Sequence, residues 1–340
     1  MIFTKQKRIL IVRPDRIGDV VLSTPIPREI KKTFPGCFIA VLVRPYTQDI
    51  YINNPYVDRI ILIDESKSIK SFFNNVSELR KYKFTHALTL LPTKRLNYLL
   101  LAAAILYRIG VGHKFYQFIT FTHYVNRKKY IPLRHEADYC MDLARKIGVK
   151  TNDLSTEIYL TEEEKRKVTV TRNKLLDGKK ILIGVHSTSG NSAPNWNIEE
   201  YYKLILQLQN IENIRVVVTD NIIPKEIAGI DGVCYPNINV NLRESFIIFR
   251  SLDLLISAST GPMHIAAALK VKTLSMFCPL TACSPQLWGP LGNDSRIILP
   301  ESNYCEINCP GDPKKCTFSG IGGISVGKVL DEVVRIVKLI

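Results

Sequence analysis

The sequence predicts an α/β protein of two Rossmann-like domains, each a parallel sheet covered by helices on both faces. Three observations predict it. Short β-branched apolar runs alternate with longer amphipathic stretches. The alternation breaks off near the middle of the chain and then restarts. The length, 340 residues, suits two domains of about 150 residues better than one. The short runs are continuously apolar, which strands buried on both faces require.

In chain order, Arg8–Arg13 reads as the first strand, and Val20–Thr33 as a helix interrupted near its start by Pro25 and Pro27. Strand Cys37–Val43, a helix near Tyr46–Asn53 and strand Arg59–Ile63 follow. Helix Ser71–Lys81, strand Thr85–Leu90 and helix Arg95–Tyr107 continue the pattern. Between Arg134 and Lys179 the character changes. Ala137–Ile147 reads as a helix stopped by Gly148, and Thr161–Lys174 as a charged helix with Thr161 and Glu164 spaced as a capping box. The alternation resumes with strand Ile181–Val185, helix Ile198–Gln209, strand Arg215–Thr219, a short helix near Lys225 and strand Val233–Tyr235. Helix Leu242–Arg250, strand Leu254–Ser257, helix Pro262–Leu269 and strand Thr273–Phe277 complete it, and Val326–Ile340 is a terminal amphipathic helix. The expected division is 1–160, 161–322 and a closing segment 323–340.

Composition is that of a globular chain, with 46% hydrophobic and 23% charged residues. The apolar run Ile9–Val12 is followed at once by Arg13 and Asp15, unlike a signal peptide, and Tyr98–Tyr107 falls short of the ~20 residues of a membrane span. A soluble, cytoplasmic protein is expected. The formal charge of +15 points to an anionic partner. Basic clusters at Lys5–Arg8, Arg127–Lys129 and Lys165–Lys167 read mainly as solvated faces, and no recognisable nucleic-acid module accompanies them. Five of eight cysteines, Cys278, Cys283, Cys305, Cys309 and Cys316, crowd the C-terminal part. Their spacing lacks paired C-x2-C knuckles and a nearby His, so packing is expected ahead of structural zinc.

Two strand-to-helix junctions and one small-residue loop carry the chemistry. The first strand runs into Arg13-Pro-Asp-Arg16-Ile-Gly18-Asp19, at the strand end where doubly wound sheets bind ligands. Asp19 has two readings of equal weight, a helix N-cap or a general base. The junction lacks the further glycines of a G-x-G-x-x-G loop, which disfavours NAD. In the second half, Ser259-Thr260-Gly261-Pro262-Met263-His264 opens an Ala-rich helix, and its free N–H groups suit a pyrophosphate. The loop His186-Ser187-Thr188-Ser-Gly after strand Ile181–Val185 belongs at the same sheet edge. Both could instead be plain turns with caps.

The segment Ile9–Pro25, with its Arg-Pro-Asp-Arg-Ile-Gly-Asp core, resembles the opening of the heptosyltransferases of glycosyltransferase family 9. Ser259–Leu269, Phe277-Cys-Pro-Leu-Thr281 and Trp288–Gly292 are similar to that family's donor segment. The resemblance implies a GT-B fold, two Rossmann-like domains facing a cleft, with the last helix packing back on the first domain. It implies metal-independent, inverting transfer of a sugar, by family default heptose from ADP-heptose, onto lipopolysaccharide inner core or a related surface glycan, with no cofactor and with peripheral contact with the inner membrane. Asp19 matches the family's general base. His186, Ser187, Thr188 and Ser259–His264 fall at the donor site, and Arg13, Arg16, Gly18, Lys94 and Arg95 are expected to attract the acceptor.

Three positions depart from the family pattern. Ser259 stands where Asp is usual, Pro194 where a Lys precedes Trp196, and Pro224 where an acidic residue follows the next strand, with Lys225 or His186 expected to compensate for the missing cation. The departures leave open a different nucleotide sugar, a nucleotide-sugar epimerase, or a non-catalytic nucleotide-binding scaffold.

Overall fold

The structure, a computed structural model, describes residues 6–127, 130–190 and 193–338. Lys5, Lys128 and Lys129 of the basic clusters, and the last two residues of the expected terminal helix, lie outside them. The chain divides into two compact units, Met1–Tyr159 and Leu160–Ile340.

The first unit holds a six-stranded sheet of β1 (Arg8–Val12), β2 (Phe38–Val43), β3 (Arg59–Leu62), β4 (His86–Thr89), β5 (Tyr107–Val111) and β6 (His123–Val125). Every pairing is parallel, in the order β3-β2-β1-β4-β5-β6. Its helices are α1 (Ile17–Val21), α2 (Pro25–Thr33), α3 (Ile69–Arg80), α4 (Lys94–Ala102), α5 (Phe115–Ile119) and α6 (Glu136–Arg145). β1 is central, its Leu10 level with Ala40 and Ala87 on the two neighbours. Ile9, Leu10, Ile11 and Val12 are all fully buried, which explains a run with no polar alternation.

The second unit has a five-stranded parallel sheet, β11-β10-β9-β7-β8. Its strands are β7 (Ile181–His186), β8 (Ile214–Val218), β9 (Leu254–Ala258), β10 (Lys272–Met276) and β11 (Ser295–Ile298). Around them lie α7 (Glu162–Leu176), α8 (Ile198–Gln209), α9 (Leu242–Ser251), α10 (Gly261–Ala268), α11 (Pro285–Trp288), α12 (Tyr304–Asn308) and α13 (Val326–Val337). α7 begins with the expected capping box, Glu164 N–H to Thr161 Oγ1 and Thr161 N–H to Glu164, a cap worth about 1 kcal/mol.

Several expectations are corrected. The expected helix Arg95–Tyr107 stops at Ala102; Ala104 turns left-handed at φ 57°, and Tyr107 already belongs to β5. β5, β6 and β11 were not anticipated. The expected strand Val233–Tyr235 reduces to one bridge between Val217 and Cys234. Apart from these corrections, α13 contributes Val326, Val329, Val333 and Ile336 to the second unit's core and packs on α8.

Candidate functional site

In each sheet the strand order reverses at one place, and loops beyond the strand ends part there to leave a crevice. In the first unit the reversal lies between β1 and β4, in the second between β7 and β9. The junctions singled out in the sequence follow β1, β7 and β9.

After β1, the Arg13 side chain is 3% exposed, and its Nη2 donates to Asp19 Oδ1 at 2.6 Å. Nη1 donates to the Leu90 carbonyl, just past β4, at 3.1 Å. Glu136 Oε1 lies 3.5 Å from Nη2 and Asp15 Oδ2 3.7 Å from Nε. Glu136, the first residue of α6, is clamped from its other side by both terminal nitrogens of Arg127. Three carboxylates thus surround one buried guanidinium, and a second guanidinium closes the ring. Burial pushes the Asp19 carboxyl up to about 6; Arg13 pulls it down, while Asp15 and Glu136 push it further up. A carboxyl about a fifth exposed and titrating near neutrality has the acid strength of a general base.

The N-cap reading of Asp19 does not hold. Arg16 is the N-cap of α1, and Asp19 is the third helical residue with its carboxylate turned to Arg13. Arg13, expected to meet an acceptor, is instead enclosed and orients Asp19. Arg95 is likewise engaged: it donates to Ser66 O and Ser71 Oγ, both at 2.7 Å, and so ties down the start of α3. Arg16 and Lys94 are exposed, and Gly18, two residues after Arg16, is half-buried.

In the second unit, Asp220 lies two residues past β8 and is fully buried. It accepts from Ser187 N–H at 2.9 Å, Ser187 Oγ at 3.0 Å, Thr188 N–H at 2.8 Å and Thr188 Oγ1 at 2.5 Å. Four donors can hold a carboxylate in a site without water. Asp220 is thus a buried carboxylate after β8, whereas Pro224 precedes a 3-10 turn, Lys225–Ile227, whose Lys225 and Glu226 are exposed. The backbone N–H and hydroxyl groups of Ser187 and Thr188 are thereby engaged by Asp220. Asn195 fastens this loop further, donating to Ser187 O at 2.7 Å while Tyr201 OH donates to its Oδ1 at 2.7 Å.

His186 is 7% exposed, with Nδ1 3.1 Å from Thr219 Oγ1 and Nε2 3.4 Å from Thr188 Oγ1. Burial lowers its pKa more than Asp220 raises it. A neutral ring with both nitrogens engaged does not replace the missing lysine as a cation.

The helix α10 starts without a side-chain cap at Thr260, with Pro262 in its first turn. Ser259, Gly261 and Pro262 are partly exposed, whereas His264 is buried and Met263 is wholly buried and belongs to the packing. Thr260 Oγ1 and Ser257 Oγ are buried and have no hydrogen-bond partner among the described residues. An orphaned hydroxyl beside uncapped N–H groups and the positive end of a helix dipole has the chemistry to receive an anion. Among the described residues no three His, Cys, Asp or Glu side chains are arranged to hold a metal ion; Cys278, Cys283 and Cys316 pack in the second unit's core.

Residues 74–315 match the sequence model of Glycosyltransferase family 9 (heptosyltransferase). A Haemophilus influenzae protein described as a glycosyltransferase is 28% identical over 307 residues, covering 86% of this chain and 88% of that one. The glycosyl transferase family 9 structure from Veillonella parvula superposes with a TM-score of 0.78 at 20% identity, over 98% of both chains. The E. coli ADP-heptose lps heptosyltransferase II gives 0.74 at 19% identity, over 98% of this chain and 99% of its own. These two likenesses show that the fold is GT-B-like.

Proposed function

Since this chain belongs to glycosyltransferase family 9, we propose that it transfers a sugar from a nucleotide-activated donor to a hydroxyl of a lipopolysaccharide core or related surface glycan, with inversion. The observation that carries the reading is Asp19, a partly exposed carboxylate at the β1 switch point, titrating near 6 and fixed by Arg13. Arg13 engages Oδ1 and leaves Oδ2 to accept the proton of the acceptor hydroxyl as its oxygen attacks the anomeric carbon. The bond from that carbon to the donor phosphate breaks, and the departing nucleoside diphosphate gains charge. The start of α10 supports that charge with fixed N–H dipoles and the Thr260 hydroxyl.

The default donor is ADP-heptose, after which the E. coli relative is named. With Pro194 in place of a lysine and His186 neutral, the second unit lacks one expected cation for a pyrophosphate, so the helix dipole carries more of the task. The test is a thermal-shift screen of ADP-, GDP- and UDP-sugars, followed by turnover with a lipid A–core acceptor. At one hundred times its Kd a true donor stabilises the chain by about 2.7 kcal/mol. Nucleoside diphosphate release that requires both acceptor and Asp19 supports the reading. Donor turnover without acceptor, or no stabilisation by any nucleotide sugar, overturns it.

A further inference from the structure

The +15 charge is unevenly distributed. Between Glu78 and Glu136 the sequence has no Asp or Glu at all, against eleven Lys and Arg. Inside this carboxylate-free stretch, α5 and the turn into β6 are folded inside out. The polar side chains point inward: Gln117 is 2% exposed, Thr120 fully buried and Thr122 8% exposed. The aromatic ones point outward: Phe115 is 79%, Phe118 81% and Phe121 79% exposed.

The inversion is built in. Gln117 accepts from Lys114 N–H at 2.8 Å and donates to Val111 O at 3.1 Å. Thr122 Oγ1 donates to Asn97 Oδ1 at 3.1 Å, and buried Arg108 donates to the carbonyls of Ile105 and Thr120. Gly110 makes room for this: a Cβ there would meet Gln117 Nε2 at 2.7 Å. With Gln117, Thr120 and Thr122 hydrogen-bonded inward, the rings have no route to the interior. Three phenylalanines within seven residues, each nearly four-fifths exposed, are not the scattered apolar residues of an ordinary wet surface. Between them lies an open groove of about 470 Å³, lined also by His113 and Tyr124. Lys114 and His113 are exposed at its rim, and Lys114 has no ion pair among the described residues.

We propose that this face of the first unit is a docking surface for an anionic lipid bilayer, with Phe115, Phe118 and Phe121 entering the headgroup–acyl boundary and Lys114 at the rim meeting acidic headgroups. Charge complementarity selects the occupant: the segment that builds this face has no carboxylate, and exposed Lys114 at the groove attracts anionic lipid. Apolar rings flanked by cations are the composition of interfacial membrane contacts. No helix among the described residues is long and apolar enough to cross a membrane, so association is through the surface. The proposal stands independently of the transferase reading.

The test uses the full chain and sedimentation with vesicles of phosphatidylcholine alone or mixed with phosphatidylglycerol. The expected result is binding to the mixed vesicles, and a loss of partitioning of about tenfold or more in a Phe115→Ser/Phe118→Ser/Phe121→Ser variant whose melting temperature is unchanged. In a separate Phe118→Trp variant, the new indole should blue-shift and be quenched by brominated lipid. Three results overturn the proposal: no binding to mixed vesicles, equal binding by the triple variant, or a wild-type dimer that ignores vesicles and that the triple variant converts to monomer. The last would make the face a contact between copies of the chain.

Discussion

Asp19→Asn tests the site most directly, because it should move activity and stability in opposite directions. The Asp19 carboxyl titrates at about 6 against an ordinary 3.8. Its proton is therefore held more tightly in the folded chain than in the unfolded one, and ionisation favours unfolding. The cost is absent below the unfolded value, grows as pH rises from there to about 6, and is fully present at neutrality. At about 1.4 kcal/mol per pH unit it approaches 3 kcal/mol. Asparagine keeps the shape and removes the charge, and Arg13 retains Glu136 and Asp15. We expect about 1–3 kcal/mol of added stability at pH 7, read as a rise of about 2–4 °C in melting temperature per kcal/mol. The same change should lower kcat by about 10²–10⁴. Melting curves at pH 4 and pH 7, with nucleoside diphosphate release as the activity assay, measure both; the stability gain should shrink at pH 4. A variant that keeps more than a tenth of wild-type activity, or melts lower than wild type at pH 7, would refute the assignment of Asp19 as a strained base.

Other substitutions address the surrounding groups. Wild-type kcat/KM should rise with pH through about 6 as Asp19 loses its proton. Glu136→Gln should move that rise to lower pH, because Glu136 is one of the charges raising the Asp19 value; an unmoved midpoint counts against their coupling. Thr260→Val removes a hydroxyl with no partner among the described residues, so unfolding free energy should stay within about 0.5 kcal/mol while donor KM rises about tenfold. Equal loss of stability would show that the hydroxyl is bonded within the protein. Asp220→Ala leaves four donors of Ser187 and Thr188 without their acceptor, and should cost about 3–5 kcal/mol in denaturant melts, with weaker nucleotide binding. A cost below about 1 kcal/mol would mean water replaces it.

The sheet architecture was legible where strands are buried on both faces, since Ile9–Val12 and Leu254–Ser257 have no alternative use for a continuous apolar run. β5 was not legible, because Arg108 and Gly110 interrupt it for the sake of the buried Gln117 network. β6 and β11 are short edge strands with exposed polar positions, too weak a pattern to stand out. The overrun of α4 has a plain cause: Leu99 to Ala104 are all good helix formers, and nothing in the local sequence marks the left-handed turn at Ala104. At the site, Asp19 and the α10 start were visible from their place after strands. Glu136 was not, since 123 residues separate it from Arg13 and only the tertiary fold joins them. Asp220 carries one local signal, its place two residues past the end of β8.

The arrangement around Asp220 bears on the energetics of recognition. A loop of Ser, Thr and Gly residues ordinarily loses conformational freedom when a ligand arrives, at about 1–2 kcal/mol per residue fixed. Here the chain's own carboxylate has already settled the backbone of Ser187 and Thr188. A nucleotide binding as proposed at the neighbouring α10 start would meet one wall frozen at the time of folding, and the entropy of shaping that wall would not subtract from its affinity.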